Sequence, residues 1–206
     1  MKYICTALMI SLALISSGCG SEAPSKPAPA KSEVSTAKVP SISKESEDLY
    51  RKAVTAYGRG DHLTALENAN LAIQSDGGNY KALSLKGIIQ AFDVSPEEGI
   101  STIQKSLDIN PDYVQAFFDM AIAQKLGKHY DESIYYFQKV LASDPQNTWS
   151  YYGIATNYAD KRDKENALKF LKKAVALDPD NVKPEARTQD HFMWLHDDPY
   201  FQKIVQ

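Results

Sequence analysis

The feature of this 206-residue chain that most constrains its fold is a period of 34 residues. Pro111, Pro145 and Pro179 lie 34 residues apart, and each ends a short run that contains leucine and aspartate. Asp76-Gly77-Gly78 occupies the same place one period earlier. A fixed period of this length indicates a stack of similar units, none of which can bury its own apolar face alone. The sequence therefore predicts a repeat solenoid.

Two positions in every period carry only small residues. Antiparallel helices approach closely only where neither carries a bulky side chain at the crossing, so this pattern predicts a pair of helices in each unit. Ser95-Pro96-Glu97-Glu98 independently predicts a helix start, with serine as the N-cap and proline at the first helical position. The small residues are Ala53, Gly87, Ala121 and Ala155 at the first position and Ala65, Gly99, Ser133 and Ala167 at the second.

The period and the small residues resemble the tetratricopeptide repeat, and YDESIYYFQKVLASDP at residues 130–145 is the best single match. Two departures are Gly77, where the first unit lacks the terminal proline, and Gly99, which replaces the usual alanine. The resemblance covers residues 46–181 as four units, at about 46–79, 80–113, 114–147 and 148–181. It implies an all-α, right-handed superhelical solenoid of about four helix-turn-helix repeats.

The last 25 residues, 182–206, are predicted to cap this stack. Pro184 breaks the register, but residues 185–195 are predicted to form one helix and residues 199–205 a short terminal helix. A solenoid exposes the apolar face of its last unit, which needs a cover. The covering residues are predicted to be Phe192, Met193, Trp194, Leu195, Tyr200, Phe201, Ile204 and Val205.

The N-terminus has the pattern of a secretory signal. Lys2 precedes an apolar run from residue 3 to residue 15, and small residues lead to Gly18-Cys19. This ending resembles the lipobox of bacterial lipoproteins, although Ser16 stands where that motif prefers leucine. The resemblance implies that residues 1–18 are a lipoprotein signal peptide and that Cys19 is lipidated. A plain secretory signal cut near Gly18, or an uncleaved membrane anchor, are the alternatives.

Residues 19–45 are predicted to be a disordered tether that follows the lipidated cysteine, because they are rich in Pro, Ala, Ser and Lys and have almost no bulky apolar residue. The chain would then be lipid-anchored in a bacterial cell envelope and face outward from the cytoplasm, on the periplasmic face of the outer membrane if the host has one. The formal net charge of -3 argues against nucleic acid as a partner.

No pattern of catalytic residues is present. Both cysteines lie in the first twenty residues, and no phosphate-binding loop, nucleophile elbow or zinc-protease motif occurs. His62 and His129 are predicted to lie in turns between paired helices. The sequence predicts that the chain is not an enzyme and needs no cofactor or metal. The alternative is a small-ligand or metal-binding lipoprotein that uses the only cluster of ligand residue types, Asp190, His191, His196, Asp197 and Asp198.

The tetratricopeptide resemblance implies that the first helices of successive units line a concave groove, which binds a protein or peptide. Whether Phe118 and Tyr152 bind a partner or pack between units stays open at this stage. Aromatic residues are typical of binding hot spots, and the candidate groove is rich in them. The candidate partner-binding residues are Tyr50, Tyr57, Ser84, Gln115, Phe118, Lys125, Trp149, Tyr152 and Thr156.

These observations together predict a membrane-anchored protein-protein interaction scaffold that binds a peptide or a partner helix. Outer-membrane or envelope assembly, pilus or secretion biogenesis, and recruitment of cell-wall enzymes are all compatible with this architecture. The sequence does not choose among these processes.

Overall fold

The computed structural model describes residues 39–206, and every regular element in that range is a helix. Ten α-helices and one 3₁₀ helix follow one another there, joined by short turns. The α-helices are α1 Lys44–Tyr57, α2 His62–Ser75, α3 Tyr80–Asp93, α4 Pro96–Ile109, α5 Val114–Leu126, α6 Tyr130–Ser143, α7 Thr148–Asp160, α8 Lys164–Leu177, α9 Pro179–Thr188 and α10 Pro199–Val205, and the 3₁₀ helix is Asp190–Leu195.

Helices pack in the order in which they occur, as four pairs. The main contacts join α1 to α2, α3 to α4, α5 to α6 and α7 to α8, and each pair then packs on the next. The predicted all-α stack of helix-turn-helix units is therefore confirmed. Ser95 is the N-cap of α4 as predicted, since its hydroxyl accepts the Glu98 amide at 3.2 Å.

The turns inside the pairs share a conformation that the sequence pattern did not predict. Gly60, Lys128 and Arg162 occupy the same place in the period, and all three have positive φ, at 74°, 61° and 62°. The left-handed backbone at this position closes the turn from the first helix of a pair to the second. In the second unit the position is Val94, with φ of -121°, and the turn continues into the Ser95-Pro96 helix start.

The eight small residues of the two columns are all buried, as the predicted helix crossings require. The crossing of α3 and α4 is a close one. A Cβ atom on Gly99 would lie 2.6 Å from the Gly87 carbonyl oxygen and 2.5 Å from the Ala91 Cβ atom. Because these distances are shorter than any real Cβ contact, the second unit has no room for the alanine that the repeat pattern usually places there.

Buried hydroxyl groups connect helices through the core. Ser133 donates to the Ala121 carbonyl at 2.7 Å, and the Asn157 amide donates to the Ser133 hydroxyl at 2.8 Å. Ser46 likewise donates to the Ala72 carbonyl at 2.7 Å. These bonds satisfy polar groups that would otherwise be costly to bury.

The prediction of one helix over residues 185–195 is wrong. The actual helix, α9, begins at Pro179 because Asp178 caps it and accepts the Asn181 amide at 3.2 Å. Pro184 lies inside α9, and its missing amide removes only one helical hydrogen bond. The chain then turns at Gln189 into the 3₁₀ helix. The terminal helix α10 spans the predicted residues 199–205.

The C-terminal elements cover the apolar side of α7 and α8. Phe192, Leu195, Phe201 and Val205 are almost fully buried in a cluster that also contains Leu171. Of the predicted covering residues, Met193 and Tyr200 remain 60% and 70% exposed. They therefore add little to this core.

The predicted signal peptide, Cys19 and most of the predicted tether lie outside the described residues. Tether residues 39–43 are non-helical, and α1 begins at Lys44. Among residues 39–206, no helix has both the length and the apolar character that crossing a membrane would require.

Candidate partner-binding groove

The first helices of the four pairs contact one another in series, α1 with α3, α3 with α5, and α5 with α7. Their shared face forms a surface that we call the inner groove. All nine predicted binding residues belong to these four helices, and the structure places them in three successive regions. Only some of the nine reach the surface.

The first region is a cavity of about 280 Å³ between α1, α3 and α5. Two predicted residues, Tyr50 and Tyr57, line it from α1. Tyr113 and Asp119 line it from the α5 side. We call these four residues the tyrosine pocket.

Of the residues that the structure describes, Asp119 is the only carboxylate lining this cavity, and it is 6% exposed. One of its oxygens accepts the Ser84 hydroxyl at 2.6 Å, and the other accepts the Gln115 amide at 2.8 Å. Burial raises the pKa of Asp119 to about 6, although both hydrogen bonds favour the charged form. The carboxylate is therefore mostly ionised at neutral pH, and its two donors are neutral groups.

The second region is a smaller cavity of about 170 Å³ between α5 and α7. Here the structure brings together three predicted residues, Gln115, Phe118 and Trp149. Trp149 is 44% exposed, and its ring meets the edge of Tyr152 with centroids 5.7 Å apart. A half-exposed tryptophan beside a cavity is a typical anchor for a partner.

The third region is polar. The Lys125 ammonium group contacts the Thr156 hydroxyl and lies 3.5 Å from an oxygen of Asp160. Burial lowers the pKa of Lys125 to about 8, and the nearby Asp160 charge opposes this change. Burial also acts on Asp160, but the His191 hydrogen bond and the Lys125 charge together hold the pKa of this carboxyl below its ordinary value. Lys125, Asp160 and His191 therefore form a linked polar cluster, with Asp160 between the other two.

Three of the predicted binding residues lie beneath the surface. Ser84 is 1%, Thr156 3% and Tyr152 8% exposed. Tyr152 packs on Phe192 with ring centroids 5.9 Å apart, and Phe118 packs on Phe137 at 5.6 Å. Tyr152 therefore serves the packing of the cap, whereas Phe118 both packs and lines the second region.

Sequence reasoning missed Asp119, Tyr113 and Asp160. A signal for Asp119 exists in the repeat register, where Leu85 and Gly153, one period before and one period after it, are both buried, whereas Arg51 in the first unit is exposed. An acidic residue between two buried positions of its column is a reason to look for a special environment. Tyr113 and Asp160 lie at helix ends, where the 34-residue pattern carries less information.

The residues of the alternative metal cluster do not converge. The Nδ1 atom of His191 lies 2.6 Å from the Oδ1 atom of Asp160. His196 stacks on Phe201 with ring centroids 5.4 Å apart. Asp198 caps α10 and pairs with Lys164. Within residues 39–206, no three acidic, histidine or cysteine residues are grouped as metal ligands. The structure thus gives no support to the metal-binding alternative.

Comparisons with known proteins agree with this architecture. Two family models described as tetratricopeptide repeat match residues 115–147 and 150–181. No curated protein sequence matches the chain.

Three similar solved structures show how far the fold is shared. TTC0263, a thermophilic tetratricopeptide protein of Thermus thermophilus, is 13% identical, with a TM-score of 0.65 over 78% of this chain and 86% of that one. MamA 41-end from Desulfovibrio magneticus RS-1 is 18% identical, with a TM-score of 0.63 over 80% of this chain and 96% of that one. YrrB, described as having an unusual peptide-binding site, is 20% identical, with a TM-score of 0.58 over 70% of this chain and 75% of that one.

Proposed function

We propose that this chain is a membrane-anchored scaffold that binds a protein or peptide in its inner groove. Two of its four helix pairs match tetratricopeptide-repeat models, and all four pairs stack in the same way. The single observation that carries this proposal is the exposed Trp149 beside the cavity that Gln115 and Phe118 line. Large aromatic side chains in a groove supply contact area at low entropic cost. The description of YrrB as peptide-binding supports the same use of this fold here.

Replacing Trp149 by alanine should weaken partner binding by about 30-fold, which corresponds to about 2 kcal/mol. The unfolding midpoint should change little, because the side chain is 44% exposed. Tyr135→Ala is the matched control: Tyr135 is 53% exposed and lies on α6, outside the inner groove. The partner is first identified with a photo-crosslinking amino acid at position 149 in cells, and its affinity for each variant is then measured by calorimetry.

Crosslinks at position 149 that are absent at position 135 would support the inner groove as the interface. Equal crosslinking at the two positions, or unchanged affinity of a folded Trp149→Ala variant, would contradict it. Tyr152 is not a suitable probe, because its removal would leave a cavity beside Phe192.

The anchoring part of the proposal depends on Cys19. We propose that Cys19 carries the lipid and that the tether holds the solenoid away from an envelope membrane, on the side that faces outward from the cytoplasm. Envelope assembly, pilus or secretion biogenesis and recruitment of cell-wall enzymes are processes in which such a scaffold could act. In this proposal the chain is not a catalyst.

The Cys19→Ala variant should lose lipid attachment and should not be processed at this site, because no other cysteine follows residue 19. Cells are grown with labelled fatty acid, and the label and the signal-peptide processing of each variant are measured. Cys5→Ala is the matched control, since it removes a thiol from within the predicted signal peptide and should leave both unchanged. Equal labelling of Cys19→Ala and the wild-type chain would contradict the lipid anchor.

A further inference from the structure

Within the described part of the chain, Asp119 is a buried negative charge without a cationic partner. Buried charges in proteins are normally paired, because desolvation of an isolated ion is costly. Among residues 39–206, no lysine, arginine or histidine forms an ion pair with Asp119. Lys81 also lines the cavity, but it contacts both oxygens of Glu47 at 3.1 Å. The charge of Lys81 is therefore already balanced.

The rest of the pocket wall suits a cation. Burial raises the pKa of Tyr50, Tyr57 and Tyr113, so these phenols stay neutral at physiological pH. All three tyrosines line the same cavity as Asp119. The faces of aromatic rings attract cations, most strongly where water is excluded.

The size of the cavity limits what it can hold. Its volume of about 280 Å³ lies just below the range of roughly 300 to 1,000 Å³ that is usual for pockets that enclose a whole small molecule. A single long side chain from a partner bound in the groove is a better match. Such a side chain would reach Asp119 with its charged end and would contact the tyrosine rings with its stem.

We infer that the tyrosine pocket binds a lysine or arginine side chain of the partner, with Asp119 as the acceptor of its charge. This inference rests on the proposed function, because it assigns the chemistry of the ligand at one end of the inner groove. A bound ammonium or guanidinium group provides the counter-charge that Asp119 lacks. The pocket therefore determines specificity for a basic segment, while Trp149 supplies an apolar anchor farther along the groove.

The test uses small probes and the purified full-length chain. N-acetyl-arginine N-methylamide and N-acetyl-lysine N-methylamide are titrated at pH 7.5, and the backbone amide signals of Tyr113, Gln115 and Asp119 are followed by NMR. N-acetyl-citrulline N-methylamide is the neutral control for the arginine probe. We expect saturable shifts of the pocket signals with at least one cationic probe and no saturable shifts with citrulline.

Two variants separate charge from shape. Asp119→Asn keeps the size of the side chain and should weaken binding of the cationic probe at least tenfold. Tyr57→Leu keeps an apolar wall but removes one ring face, and should weaken binding about fivefold. Equal binding of citrulline and arginine, unchanged binding by folded Asp119→Asn, or no saturable shift with either cationic probe would overturn the inference.

The result also separates this inference from the scaffold proposal. Trp149→Ala lies outside the pocket and should leave probe binding unchanged while it weakens partner binding. Partner binding that depends on Trp149 but not on Asp119 would support the scaffold proposal and would contradict the binding of a basic partner side chain in the tyrosine pocket. Probe binding without any partner crosslink at position 149 would retain the pocket as a site for a basic side chain and would contradict the inner groove as the partner interface.

Discussion

The Gly99→Ala variant is expected to lose about 2 to 3 kcal/mol of unfolding free energy, although the same change in an open helix stabilises a protein by about 1 kcal/mol. The reason is the crossing of α3 and α4, where the new methyl group would lie 2.6 Å from the Gly87 carbonyl oxygen and 2.7 Å from the Ala91 backbone nitrogen. Backbone atoms cannot move aside as a flexible side chain can. The two helices must therefore separate, and the packing around Ile103 loosens with them.

Chemical denaturation of the wild-type chain and the variant measures this loss. Gly58→Ala is the matched control, because Gly58 has a helical φ of -63°, is not buried, and would place its Cβ atom 3.5 Å from the nearest backbone oxygen. That variant should be neutral or slightly more stable. Equal stability of the Gly99→Ala and Gly58→Ala variants would show that the α3 and α4 crossing is looser than described.

The Asp119→Asn variant is expected to gain stability relative to the wild-type chain as the pH rises from 4 to 8. Burial raises the pKa of Asp119 to about 6, whereas its ordinary value is 3.8. The folded chain therefore holds this proton more tightly than the unfolded chain. The stabilisation from that proton is fully present below the ordinary pKa of 3.8 and is lost as the pH rises through about 6. The total loss of unfolding free energy is about 3 kcal/mol.

Asparagine cannot ionise, so the variant escapes this loss. Its amide can donate to the Ser84 hydroxyl while its oxygen accepts from Gln115, which keeps both buried hydrogen bonds. The difference in unfolding free energy between variant and wild type should rise by about 2 to 3 kcal/mol between pH 4 and pH 8. The charged or titratable groups that line the cavity with Asp119 are Tyr50 and Tyr57 from α1, Lys81 from α3, and Tyr113 beside α5. Glu47 is the ionic partner of Lys81.

Denaturant titrations at several pH values measure this difference. Asp108→Asn, which removes an exposed carboxylate from α4, is the control for the general loss of one acidic group. A difference between Asp119→Asn and wild type that stays constant over this range would show that Asp119 is not a buried ionised carboxylate. It would also remove the electrostatic basis for a basic partner side chain.

The 34-residue period determined the helix pairs and their order. Small residues recur where helices cross, and this constraint is local enough to be visible without the structure. Gly99 is an instructive case, because the sequence marked it as a departure from the repeat pattern. The structure shows that the departure fits the crossing, since the α3 and α4 backbones are too close for a methyl group.

The C-terminal cap was only partly predictable. The start of α10 at Pro199 follows from Asp198, whose side chain accepts two backbone amides. The helix boundaries before it did not follow, because proline is a weak guide to where a helix ends when it lies within the early turns. The apolar residues of the cap were visible in the sequence, but which of them are buried depends on how α9 and the 3₁₀ helix turn over α7 and α8.

The chemistry of the inner groove was decided by tertiary structure. The sequence by itself determined the repeated helix pairs through its periodicity, and its resemblance to the tetratricopeptide repeat implied which helices line the groove. It did not determine that Tyr152 would be covered by Phe192, nor that Asp119 would lie among three tyrosines without an ion pair to any of residues 39–206. The residues of the tyrosine pocket come from the first and third helix pairs, and the second pair stacks between them. Their environment exists only after all three pairs stack, because burial and charge depend on neighbours that are distant in sequence.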